Sequence, residues 1–166
     1  MLQPGQTLTD PDGTLGVAGT ALIFRAGPLY CALPLGEVIE TMRPLPVQPL
    51  AGTGSIVRGV CVMRGASTPV IDVAQLLGGH AASASRFIAV RTDRGPVALA
   101  TGDVLGIRTV EDAGAARQRA SALGGAAMRM VSAVGTFHGE PLLVLQSMGV
   151  LADEIWAAAA APAGPS

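Results

Sequence analysis

The sequence predicts an all-β protein made of two five-stranded barrels in tandem, followed by one C-terminal helix. Short runs of β-prone apolar residues recur along the chain, and Gly-Pro, proline-rich or Gly-rich turn signals separate them. The two halves of the chain also repeat these signals in the same order. The best helical pattern lies in residues 147–161, where Ser147 can act as a cap.

The composition excludes several classes of function. Of the 166 residues, 49% are apolar, so the chain can bury a substantial core. Charged residues make up only 14% and the formal net charge is −1, so the basic excess of a non-specific nucleic-acid binder is missing. No apolar run reaches the roughly 18 residues that a membrane-spanning helix needs. We therefore expect a soluble protein that neither binds nucleic acid nor inserts into a membrane. Cys31 and Cys61 lie in apolar runs without CxxC spacing, which is typical of buried reduced thiols in a cytoplasmic protein.

The first barrel is predicted in residues 20–80. Residues 1–19 precede it and are rich in Gly, Pro, Thr and Asp, so we expect a flexible N-terminal segment. Two strands flank the turn at Gly27-Pro28, and a third covers Val38 to Met42. Prolines in residues 43–50 then prevent regular ladder bonding, which predicts an extended connection.

A hairpin in residues 57–73 completes the first half. Its two apolar runs are separated by Arg64-Gly65-Ala66-Ser67-Thr68, which we interpret as a loop of about five residues. Asp72 is expected to cap a short helical turn that continues through Leu77 before Gly78-Gly79 ends it.

The second barrel is predicted in residues 86–146, because turn and strand signals of the first half return there in the same order. Each half contains a hairpin, a single strand, a loop-rich connection and a second hairpin. The matching segments are Gly27-Pro28 with Gly95-Pro96, Gly36-Glu37-Val38-Ile39 with Gly102-Asp103-Val104-Leu105, and Arg64-Gly65 before Pro69-Val70-Ile71 with His138-Gly139 before Pro141-Leu142-Leu143.

Several short motifs resemble the signature of the CheW-type chemotaxis adaptor family. They are V-R-G-V at 57–60, M-R-G at 63–65 and P-V-I-D-V at 69–73, preceded by F-R-A-G at 24–27, Y-C-A-L-P-L at 30–35 and E-V-I-E at 37–40. The similarity runs from about Ala21 to about Leu151. It implies SH3-like barrels and a non-enzymatic adaptor that links the cytoplasmic tip of chemoreceptors to the regulatory domain of a chemotaxis histidine kinase. The adaptor would be recruited to receptor arrays at the inner membrane.

Glu40 and Arg64 are the candidate receptor-binding charges. If the strand that contains Glu40 lies beside the 57–63 strand, the two side chains can form a bidentate pair near the hairpin tip. The alternative is that both are ordinary exposed charges. The resemblance implies a receptor-coupling role for both, together with Val38. Val38 and Ile39 alternate along one strand, so only one of them can face the core.

Arg58 and Gly59 are the candidate kinase-binding residues. The resemblance implies that the regulatory domain of the kinase has the same double-barrel fold, so that the two proteins dock barrel to barrel at strand edges. Because Gly59 has no side chain, it would allow another backbone to come close.

We expect no catalysis, cofactor or metal. Cys31, Cys61, His80 and His138 lack metal-ligand spacing. A triad of Cys61, His138 and Asp72 makes a small cysteine hydrolase a distant alternative, but Cys61 lies within an apolar strand where its thiol would be inert.

A nearer alternative is a divergent CheW-like scaffold of another receptor–kinase pathway, with one interface lost or altered. Two departures from the family pattern support it: residues 100–104 read Ala-Thr-Gly-Asp-Val in place of a Val-Asp pair, and Gln146 replaces a frequent acid.

Overall fold

The computed structural model describes residues 19–54, 56–110 and 131–146, and it confirms the all-β class with two sets of five strands. The described ranges contain ten strands. They are β1 Gly19–Ala26, β2 Leu29–Pro34, β3 Val38–Met42, β4 Val57–Met63, β5 Ala66–Asp72, β6 Arg86–Val90, β7 Val97–Thr101, β8 Val104–Val110, β9 Val131–Phe137 and β10 Glu140–Leu145. The predicted C-terminal helix at 147–161 and all but Gly19 of the segment predicted to be flexible lie outside the described residues.

Two short helical segments connect strands in the described residues. A 3₁₀ turn at Leu35–Glu37 leads from β2 into β3, and helix α1 at Val73–Leu76 follows β5. Asp72 caps α1 as predicted, since its Oδ1 accepts a hydrogen bond from the Gln75 amide at 3.2 Å. None of the helices in the described ranges has the length and hydrophobicity to cross a membrane.

Each sheet takes strands from both halves of the chain. The strand orders are β8-β1-β2-β10-β9 in the first sheet and β3-β6-β7-β5-β4 in the second. Neighbours are antiparallel except for β2 with β10 and β5 with β7, which are parallel. The first hairpin of each half therefore joins the single strand and the last hairpin of the other half.

This exchange corrects the predicted division into one barrel at 20–80 and another at 86–146. The repeat itself is present, because β1 to β5 and β6 to β10 occupy equivalent places in the two strand orders. Equivalent segments of the two halves carry the same hydrophobic pattern and the same turn signals. The sequence pattern is therefore compatible with a hairpin that pairs with strands of its own half or with strands of the other half. The repeat therefore predicts the order of the elements but not their partners.

The central strands are buried on both faces, and alternate residues serve different cores. Leu22 and Phe24 of β1 pack in a core that the two sheets share, together with Ile71 and Leu99 of the second sheet. Ala21 and Ile23 face a second core that belongs to the first sheet, while Phe87 and Ala89 of β6 help to form a third core in the second sheet. Period-2 alternation between two apolar environments explains the continuous apolar runs of these strands.

The β4–β5 turn is shorter than predicted. Met63 pairs with Ala66, so the loop consists of Arg64 and Gly65 alone, with φ angles of 52° and 79°. Two consecutive positive φ angles are typical of a type I′ turn, whose twist matches that of the flanking strands. Residues 66–68, which the sequence pattern places in the loop, belong to β5. The last hairpin has the same geometry at His138 and Gly139.

Candidate functional site

Glu40 and Arg64 form the predicted bidentate ion pair. Arg64 Nε donates to Glu40 Oε2 at 2.7 Å, and Arg64 Nη2 donates to Glu40 Oε1 at 2.6 Å. The side chain of Arg64 is 76% exposed and that of Glu40 is 27% exposed. The pair therefore presents a guanidinium to solvent in an orientation that the carboxylate holds.

The ion pair connects the two edges of the second sheet. Glu40 lies in β3 and Arg64 follows β4, and these strands are at opposite ends of the order β3-β6-β7-β5-β4. We predicted the contact on the condition that the two strands were neighbours, but β3 pairs with β6 instead. Curling of the sheet into a barrel brings its edges together, and the ion pair spans the gap between them.

Each partner favours the charged form of the other. The hydrogen bonds from Arg64 lower the pKa of Glu40, and those same bonds raise the pKa of Arg64. Glu40 is therefore ionised throughout the physiological pH range. Arg64 also has a positive φ, a conformation that is strained for a residue with a side chain. Strain and a fixed charge thus coincide at the tip of this hairpin.

The apolar residues around the pair differ in exposure. Val38 is half-buried and packs against the shared core. The β3–β6 register shifts between Val38 and Glu40, which leaves Ile39 as a bulge with 43% exposure. Val62 of β4 is 69% exposed and was missed by sequence reasoning. Its exposure follows the strict alternation of β4, in which Val57, Gly59, Cys61 and Met63 are buried.

Arg58 has a partner that sequence reasoning also missed. Its Nε and Nη2 donate to Asp72 Oδ2 at 3.0 and 2.7 Å, and Nη2 also donates to the carbonyl oxygen of Ala82. Asp72 is only 1% exposed. A bulge in β4 between Val57 and Gly59 makes Arg58 the extra residue opposite β5, which no sequence signal indicated.

Gly59 lies against a backbone of this same chain. Gln48, in the proline-rich connection (residues 43–50), exchanges two hydrogen bonds with Val60, Gln48 N to Val60 O at 2.7 Å and Val60 N to Gln48 O at 3.0 Å. A Cβ at Gly59 would lie 2.7 Å from Gln48 C, 2.8 Å from Pro49 Cα and closer still to the Gln48 carbonyl oxygen. The close approach that we predicted for a partner strand is therefore made by the proline-rich connection.

The two candidate surfaces lie at opposite ends of β4. Arg58 and Gly59 are at its start, whereas Arg64 follows its last residue. Six residues of extended chain separate Arg58 from Arg64 by about 20 Å. The two sets of predicted site residues are therefore separated along the strand.

The residues of the hydrolase alternative are poorly suited to catalysis. Cys61 lies in the core of the second sheet, where burial raises its pKa, while His138 lies at a turn of the first sheet with its ring 4.1 Å from that of Phe137. Both carboxylate oxygens of Asp72 accept hydrogen bonds from Arg58 or Gln75. Burial raises the pKa of the Cys31 thiol to about 12. Across 19–54, 56–110 and 131–146, no three His, Cys, Asp or Glu residues form a group suited to a metal ion.

The fold is similar to that of a scaffolding protein of known structure. The crystal structure of the scaffolding protein TtCheW from Thermoanaerobacter tengcongensis matches with a TM-score of 0.65 and 14% sequence identity, over 79% of this chain and 91% of that one. At this identity the match establishes the fold, with the two SH3-like barrels that the sequence motifs implied. A search of curated proteins found no match. The family model of the CheW-like domain matches residues 20–154, which is most of the chain, and the protein therefore belongs to the CheW-like domain family.

Proposed function

We propose that the protein is a non-enzymatic signalling adaptor that couples chemoreceptors to a chemotaxis histidine kinase. Membership in the CheW-like family supports an adaptor of chemotaxis signalling. The observation that carries the finer assignment is the exposed bidentate pair of Glu40 and Arg64, at the positions that the family resemblance associates with receptor coupling. The adaptor is cytoplasmic and is recruited to receptor arrays at the inner membrane.

The cytoplasmic tip of the chemoreceptor binds around Val38, Glu40 and Arg64. An exposed ion pair contributes little to stability, so its bidentate geometry is better explained by recognition. Ile39 and Val62 add exposed apolar side chains. An oriented charge beside apolar area is the composition expected of a specific interface.

The regulatory domain of the kinase binds at the other end of β4, near Arg58 and Gly59. About 20 Å of strand separates this end from the ion pair. Because the surfaces do not overlap, one adaptor molecule can bridge both partners. Geometry, and not turnover, then transmits the signal.

Binding measurements with both partners test this division. Glu40→Gln keeps the size of the side chain and removes its charge, and Arg64→Asn removes the guanidinium while placing a residue that tolerates positive φ in the turn. Both variants should weaken binding of a receptor-tip fragment at least tenfold and leave binding of the kinase regulatory domain unchanged. Arg86→Gln, at an exposed arginine that begins β6, is the control for loss of a positive charge.

Other outcomes point to specific errors. If the wild-type protein binds only one of the two partners, the divergent scaffold with one altered interface is the correct function. If Glu40→Gln and Arg64→Asn weaken both partners equally, the surfaces have been divided in the wrong place.

A further inference from the structure

Arg58 connects three segments of its own chain. Its guanidinium binds Asp72 Oδ2 and the Ala82 carbonyl oxygen, and the other oxygen of Asp72 caps α1. Only 27% of the Arg58 side chain is exposed. The residue therefore ties β4 to the end of β5 and to the connection from α1 to β6, residues 77–85, which we call the α1–β6 connection.

Gly59 fixes a second connection on the same bulge. The two hydrogen bonds between Gln48 and Val60 hold the proline-rich connection along the outer edge of β4. Backbone atoms of Gln48 and Pro49 occupy the space that a side chain at Gly59 would need. A partner strand cannot pair with β4 at Val60 unless Gln48 leaves.

At this end of β4, Gly59 is buried and Arg58 is only partly exposed, and the two connections provide the exposed side chains. In the proline-rich connection, Gln48, Pro49 and Leu50 are exposed, with Leu50 at 44%. In the α1–β6 connection, His80 and Ser83 are exposed. A protein that approaches the start of β4 therefore encounters these side chains before it can reach Gly59.

We propose that Arg58 and Gly59 act on kinase binding as positioning residues, and that the proline-rich connection and the α1–β6 connection make the contacts. This inference rests on the proposed function. It adds Asp72 and Gln48, to which the family resemblance gave no binding role, as the residues through which Arg58 and Gly59 act. Asp72 is decisive because its buried carboxylate cannot touch a partner.

A comparison of Arg58→Gln with Asp72→Asn tests the inference. Dissociation constants for the kinase regulatory domain are measured at a temperature at which both variants are folded, with Arg86→Gln as the control. Each single change should weaken binding by a similar factor, about tenfold, and the double variant should be no weaker than either. Amide hydrogen exchange in residues 77–85 should accelerate in both variants but not in the control.

If Asp72→Asn binds like the wild-type protein while Arg58→Gln does not, Arg58 touches the kinase and the inference is wrong. Should Asp72→Asn fail to fold, the combined variant Leu50→Asp with Ser83→Glu provides a second test, because both side chains are exposed. It should weaken kinase binding at least tenfold, and unchanged binding would overturn the inference.

If the proposed function is wrong, the wild-type protein will not bind the kinase domain at all, and this result is distinct from the outcomes above. The positioning role is in that case judged by amide exchange. Unchanged exchange in Arg58→Gln and Asp72→Asn would reject it.

Discussion

Replacement of Gly59 by alanine measures how tightly the proline-rich connection closes the edge of β4. The new Cβ would collide with three backbone atoms of Gln48 and Pro49, and no side-chain rotation can relieve such a contact. The connection must move, which weakens the two hydrogen bonds between Gln48 and Val60. At about 0.5–1.5 kcal/mol for each bond, this loss is about 1–3 kcal/mol.

Backbone strain adds to the cost and needs its own control. Gly59 has a φ of 141°, and alanine there incurs a strain of about 1–3 kcal/mol even without a collision. Gly106 in β8 has a similar φ of 126°, but a Cβ there would meet only the flexible end of the Arg108 side chain at 3.4 Å. Gly106→Ala therefore carries the strain without the backbone collision.

We expect Gly59→Ala to lower the free energy of unfolding by about 2–4 kcal/mol more than Gly106→Ala does, once overpacking is included. For a chain of this size, a difference of that order corresponds to a midpoint about 6–12 °C lower. Urea denaturation and thermal melting followed by circular dichroism measure both quantities. Equal destabilisation by the two changes would show that the connection moves freely and would refute the packing argument.

The same reasoning limits what a larger substitution can show. Gly59→Arg carries the same Cβ, so it displaces the same backbone. Its effect on kinase binding would combine loss of the proline-rich connection with any effect on a contact.

Three further predictions concern the charges and the thiols. Removal of the Arg58 guanidinium in Arg58→Ala leaves the buried Asp72 carboxylate without its ion pair and should lower the free energy of unfolding by about 3 kcal/mol in urea denaturation. This is the lower end of the range for buried pairs, because Arg58 is partly exposed. Arg64→Asn should leave the melting midpoint nearly unchanged, and the reverse order of the two effects would contradict both assignments. Arg64 lowers the pKa of Glu40 from its ordinary 4.5, so the stabilisation by this ion pair is fully present above that pH and is lost as the pH falls through the lowered value. An NMR titration should find the pKa of Glu40 closer to 4.5 in Arg64→Asn than in the wild-type protein. An unchanged pKa would mean that the pair does not form in solution. Burial raises the pKa of Cys31 to about 12 and also raises that of Cys61. Neither thiol should therefore react with an alkylating reagent at about pH 8 until the protein unfolds. Rapid labelling of the native protein would contradict the burial of the two thiols in the described cores.

Local signals account for the parts of the fold that the sequence predicted. Gly27-Pro28 and the repeated order of turns identify the hairpins because a turn depends on the residues within it. Asp72 was identified as a cap for the same reason. Glu40 and Arg64 were recognisable because each interrupts an apolar run, although the resemblance was needed to choose between an ion pair and two solvated charges.

The features that the sequence did not predict depend on contacts between distant segments or on backbone irregularities. An internal repeat does not predict which half each hairpin pairs with, because both pairings satisfy the same hydrophobic pattern. The bulges at Arg58 and Ile39 change the direction of a side chain without a distinctive residue at the bulge. The two-residue turn at Arg64-Gly65 was missed because arginine is unusual at a positive φ.

The exchanged hairpins also determine when the protein can fold during synthesis. β1 and β2 leave the ribosome first, yet the strands beside them in their sheet, β8 and β10, are among the last to appear. Until then both outer edges of this hairpin are unpaired, and its apolar faces lack the strands that cover them. The five strands of the second sheet lie within residues 38–101 and can pair before β8 emerges, whereas the first sheet is incomplete until β9 and β10 appear. Neither half, produced alone, contains the strands of one complete sheet. Because the two sheets also share a core, they should unfold together as one cooperative unit.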